Sequence, residues 1–142
     1  MTDLSTGQAC LRTGMTWRQL QYSSEQGILK PRSEHGPGGR DGKIHRWNEQ
    51  ELFVAAVLKE LRDRRLSRPE IDKAFALIRK QFDTIKNSNP VYLFIENKQT
   101  RFDYSYEKTA RLIFEPTTVI KAAKRANGVL LIDLKEQLRK IA

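Results

Sequence analysis

Two short stretches near the start of the chain are punctuated so closely that little but a pair of short helices can occupy them. Ser5 stands three residues before Gln8, and Thr16 three residues before Gln19. Each spacing is that of a capping box: the hydroxyl takes the third amide and the third side chain returns a bond to the cap's own amide. The first helix, from Leu4 to Arg12, ends at Thr13-Gly14. Gly27 stops the second, because glycine takes the left-handed position after a helix without strain, and Pro31 keeps the helix from resuming. Met15 can staple onto Leu20 across the second cap.

Helix, tight turn, capped helix is the spacing of a helix-turn-helix, whose second member is presented to DNA. On Met15 to Leu29 the polar positions Thr16, Trp17, Arg18, Gln21 and Tyr22 project from the N-terminal half. Leu20, Ser23 and Ser24 are left to face the body. From Pro31 to Arg46 the composition turns to glycine, proline and cations, with Arg32, Arg40, Lys43 and Arg46 following Lys30. That reads as a flexible cationic loop, a wing that follows phosphates or enters the minor groove, where arginine is favoured. Phosphate contacts are expected from Arg12, Lys30, Arg40, Lys43 and Arg46, with Arg18 and Gln21, and Thr16 nearby, reading base edges. The net charge of +9, from 26 basic against 17 acidic side chains, favours an anionic partner. The excess is spread along the chain, so charge alone describes a solvated basic surface equally well.

Beyond the loop, Asn48 and Glu51 mark another helix, with Trp47 as a core anchor stapled to Leu52 and with Leu52, Ala55, Ala56, Leu58 and Leu61 on its apolar face. Ser67 and Glu70 open the next, read as one helix from Arg68 to Lys86, about 28 Å long. Its residues Ile71, Phe75, Ile78, Phe82 and Ile85 alternate at spacings of four and three, the seam of a coiled coil or of plain intrachain packing. Asn87-Ser88-Asn89-Pro90 breaks it. Val91 to Ile95 reads as a buried strand that turns at Glu96 to Gln99 into a second, Thr100 to Tyr104. Leu112 to Phe114 is a third strand or a helix end. Pro116 opens a helix to Ala126, Val129 to Ile132 is a further strand, and Asp133 with Glu136 starts the last helix, carrying Leu134, Leu138 and Ile141.

The expected fold is therefore α+β, mainly α: a winged helix-turn-helix, two more helices and a small mixed β/α C-terminal region. Residues 1–86 form the DNA-binding domain with its following helices, 87–90 a linker, and 91–142 a small α/β dimerisation or partner-binding domain. So short a tail cannot bury a deep core alone, which points to association. Phe75, Ile78, Phe82, Ile85, Val91, Leu93 and Ile95 are the candidate dimer contacts, and Lys121, Lys124 and Arg125 are a second phosphate contact or a solvated helix face.

The single Cys10 excludes an intrachain disulfide and reads as a small buried hydrophobe. Neither it nor His35 and His45 stands at a metal-ligand spacing, so no metal or cofactor is expected. No nucleophile, acid-base or phosphate-loop arrangement appears, and the carboxylates fall mostly at cap positions, so an enzyme is not expected. No stretch approaches a membrane span and the start lacks a basic, then apolar, leader. A cytoplasmic, nucleoid-associated protein follows as the expectation.

The segments Thr13 to Tyr22, Gly27 to Pro31, His45 to Leu52 and Leu66 to Ile71 together resemble the DNA-binding domain of the MerR family, in family order across Leu4 to about Arg79. The resemblance implies a winged helix-turn-helix followed by two helices, binding a palindromic operator as a homodimer and regulating transcription. By position it implies Thr16, Arg18 and Tyr22 on the recognition helix, and Arg40 and Arg46 in or beside the wing. Gln21 stands where the family usually has arginine, the wing is longer and richer in glycine, and the chain turns to strands after Pro90 where many members continue one dimerising helix. Metal sensing does not carry over, because the cysteine constellation is absent. The competing expectations are an architectural DNA-binding protein, excisionase-like or of the partition type, and an antitoxin-like module whose C-terminal region captures a protein partner.

Overall fold

The computed structural model describes residues 3–40, 43–62, 64, 66–99, 106–118, 121 and 127–142; for 35–40, 43, 97–99, 106, 107 and 127–129 only the backbone is described. The chain is mixed α+β, with two small antiparallel sheets of three strands. Two compact units divide it. One comprises residues 1–61 with 139–142, the other 62–138. The sequence places the boundary at 87–90 instead. The difference arises because the helix that follows Ser67 packs on the second sheet and the next helix packs on it in turn.

In the first unit a two-residue strand, β1 (Leu4–Ser5), leads into α1 (Thr6–Thr13). Ser5 makes both bonds of its capping box, and Gly14 closes the helix in the left-handed region at φ 75°. After Met15 and Thr16 comes α2 (Trp17–Glu25), then β2 (Arg32–Arg40), β3 (Lys43–Trp47) and α3 (Glu49–Leu61). The strand order is β1-β3-β2, with Leu4 opposite Trp47 and Arg32 opposite Arg46. What reads as a loop from Pro31 is thus largely a hairpin. Its backbone pairs despite the glycines because β2 is an edge strand, where proline and glycine cost least, and its register shifts between His35 and Arg40.

Helix α1 is the hub of this unit, packing against α2, α3, β1 and β3. Trp47 is fully buried and its Nε1 donates to Thr6 Oγ1 at 3.1 Å. All seven residues from Leu52 to Leu58 are buried, so α3 is enclosed around its whole circumference rather than on one face.

The second unit holds α4 (Arg68–Lys80), α5 (Phe82–Asn87), β4 (Tyr92–Gln99), β5 (Tyr106–Ile113) and β6 (Asn127–Asp133); α6 (Leu134–Ile141) begins in it. Ser67 makes both bonds of its box with Glu70. The single helix expected to Lys86 ends at Lys80, where Gln81 leaves helical conformation at φ −104° and ψ 15°. The amide of Gln81 still donates to Leu77 O and that of Ile85 to Gln81 O, so one residue re-aims the chain and buries Phe82 and Ile85.

The sheet runs β5-β4-β6, all antiparallel, and α4 packs on β5. Two expectations are corrected here. Glu96 to Gln99 continue β4 instead of turning, and residues 106–113 form one strand of which Leu112-Ile113 is only the end. The cross-strand partners Glu96–Thr109 and Asn97–Lys108 extend the ladder past its apolar part. The second strand expected over Thr100 to Tyr104 lies outside the described residues. Residues 116–118 are helical. Asp133 caps α6, its Oδ1 accepting from the amides of Lys135 and Glu136 at 3.0 and 3.3 Å.

All seven candidate dimer residues, Phe75, Ile78, Phe82, Ile85, Val91, Leu93 and Ile95, are buried within the chain. The seam's spacing also suits intrachain packing, and that packing takes their surface, leaving none for a second copy.

Candidate nucleic-acid interface

Helix α2 is fixed at both ends. Thr16 Oγ1 accepts from Gln19 N at 3.2 Å while Gln19 Oε1 accepts from Thr16 N at 2.9 Å. At the far end Gly27, at φ 76°, donates to Ser24 O and Ile28 donates to Ser23 O, the paired bonds of a Schellman closure. Its underside is held too. Met15, Leu20 and Ser23 are buried, and complete burial of a leucine side chain stabilises by about 1.5–3 kcal/mol.

What remains outward is the set expected from the sequence. Thr16, Trp17, Arg18 and Tyr22 are exposed, Trp17 at 58% and Tyr22 at 60%. Arg18 and Tyr22, four apart, share a face. Gln21 is half-buried and donates from Nε2 to Glu25 Oε1 at 3.2 Å, so one of its donors is already engaged within the helix.

The hairpin carries charge differently from the expectation. Arg46 Nε donates to Glu34 Oε1 at 2.8 Å, and Arg32 lies 3.5 Å from both Glu34 Oε2 and Asp3 Oδ2. Arg46 is therefore tied to a carboxylate of the adjoining strand. The hydrogen bond from Arg46, aided by the charges of Arg32 and Arg46, outweighs desolvation and holds the Glu34 carboxyl below the usual glutamate range. His45 Nδ1 lies 3.2 Å from Ser33 Oγ across the same hairpin. Arg40 and Lys43 are partners in the backbone ladder, but their side chains lie outside the described residues.

Lys30 is exposed, and its amide donates to Glu51 Oε1 at 2.7 Å, pinning the entry to the hairpin onto α3. Arg12, expected on phosphate, donates from Nη1 to Ile141 O at 3.1 Å instead. A cation there complements the carbonyl end of α6. Lys140 adds an ion pair with Glu60 at 3.1 Å within the same unit. Sequence spacing gave no sign of either contact, because their partners are far apart in the chain.

Cys10 is half-buried; burial pushes its thiol up, against a smaller lowering from a backbone hydrogen bond. Among the described residues no three His, Cys, Asp or Glu side chains come together as a metal site. Of the second basic cluster, Lys121 is exposed, while Lys124 and Arg125 lie outside the described residues. The second unit has a cavity of about 230 Å³ lined by Leu66, Glu70, Lys73, Ile95, Lys108, Thr109 and Ala110. Burial opposes ionisation of Glu70, yet bonds from Ser67 and the charge of Lys108, 4.0 Å away, leave its carboxyl below the usual range. Among the described residues no helix is long and apolar enough to cross a membrane. No family model matches the chain, and no curated protein matches it.

Proposed function

We propose that the first unit is a MerR-like winged helix-turn-helix and that the chain is a sequence-specific DNA-binding regulator of transcription. Helix α2 enters the major groove and the β2–β3 hairpin serves as the wing. The observation that carries this reading is the outward face of α2. Thr16, Trp17, Arg18 and Tyr22 stand on a helix locked by two caps and seated on α1, which also seats the sheet of the hairpin. Such a face is pre-organised, so binding immobilises little that was free. Arg18 reads a base edge, and Lys30 contacts phosphate. Gln21 and Arg46 contribute less than their positions imply, because Glu25 and Glu34 compete for them.

Selection from a random duplex library, followed by footprinting across a salt series, tests the proposal. An inverted repeat protected as one block supports a dimeric regulator. Binding that spreads along any duplex and weakens steeply with salt supports the architectural alternative. Intrachain burial of the seven candidate dimer residues favours that alternative as the second reading, since it removes the contact that was to fix a two-fold axis. A chain that binds no duplex at low salt overturns both.

A further inference from the structure

We infer that Trp17 recognises the 5-methyl group of a thymine in the bound site, an inference that rests on reading α2 as the major-groove helix. The fold has ample means to bury large aromatic side chains. Trp47, Phe53, Phe75 and Phe94 are all fully buried, whereas Trp17 remains 58% exposed one residue after the Thr16 cap. Both ends of α2 are held, which fixes the backbone of Trp17 at the tip of the helix, with its indole left mostly exposed.

An exposed indole gains most by meeting another apolar group. It also carries a single donor and no acceptor, so it cannot read a base edge by paired hydrogen bonds as arginine or glutamine does. In the major groove only one base carries an apolar substituent larger than hydrogen. That substituent is the thymine methyl. Residues at the N-terminus of a recognition helix are the ones that reach base edges, and Trp17 is the first residue of α2. Tyr22 lies more than a turn further along and bears a hydroxyl, which suits it to phosphate.

The test uses the full chain and the duplex chosen by selection. Each thymine is replaced singly by deoxyuridine, which removes only the methyl group. At one thymine in each bound half-site the affinity of the native chain should fall about fourfold, equivalent to roughly 0.8 kcal/mol for one buried methyl. Trp17→Ala should bind the thymine and uracil duplexes equally, and Trp17→Phe should retain the discrimination. Because the side chain is exposed, the circular dichroism and melting of Trp17→Ala should match the native chain. The inference is overturned if no replacement weakens binding, or if the same replacement weakens Trp17→Ala as much as the native chain. In both cases specific binding persists, which leaves the DNA-binding reading standing. A chain that binds no duplex overturns both together.

Discussion

The 3.1 Å bond from Trp47 to Thr6 shows how one residue type serves opposite ends within the first unit. Trp47 is consumed by the core, while Trp17 is held out of it. Trp47→Phe removes the indole donor at buried Thr6, and urea melts should show a loss of about 1–3 kcal/mol. Adding Thr6→Val to that chain should recover part of the loss, since neither partner then seeks the other. On the outward side, Arg18→Ala should cost about 1–3 kcal/mol at the selected duplex and much less on random DNA. Equal losses on both would make Arg18 a phosphate contact. Arg18 and Tyr22 were legible as outward because a capped helix with Leu20 inward puts them on its opposite side, whereas the exposure of Trp17, three residues before Leu20, does not follow from that periodicity. The engagements of Gln21, Arg46 and Arg12 were not. Each depends on a partner selected by side-chain rotamer, strand pairing or tertiary packing.

At the scale of elements, helix starts were the most readable feature, because Ser5, Thr16 and Ser67 each satisfy amides only three residues away. Strands depend on distant partners, and so the hairpin through Gly36 and Pro37 and the extension of β4 past Ile95 went unread. The turn between α1 and α2 hangs on Gly14, where an added methyl would meet the Lys59 side chain and an L residue at φ 75° is strained. Gly14→Ala should destabilise by about 1–2 kcal/mol, nearly all from backbone strain, because the lysine end can move aside. The hairpin has a pH signature. The Glu34 carboxyl titrates below the usual range in the folded chain, so its contribution is complete above the unfolded value and lost as pH falls through the folded one. Arg46→Met should return the Glu34 carboxyl toward the ordinary range in a carbon-detected NMR titration; an unchanged titration would remove Arg46 as the cause.

For the whole molecule, the mixture of helices with small sheets was readable and the partition was not, since nothing in the Asn87 to Pro90 break reveals that α4 and α5 go with the strands that follow. Burial of Phe75, Ile78, Phe82 and Ile85 makes a quantitative claim: Ile78→Ala should lose about 2–5 kcal/mol as a cavity mutant. Its urea midpoint should be independent of protein concentration. A midpoint that rises with concentration would show that a second copy completes this core. The first unit is also discontinuous, since residues 139–142 belong with 1–61 and supply the carbonyl that Arg12 holds and the ammonium that meets Glu60. On a ribosome adding about 5–20 residues per second, those closing residues are made several seconds after α3. Helices α1 and α3 therefore acquire these two contacts only after the entire second unit has been translated, so the first unit closes last although most of it is made first.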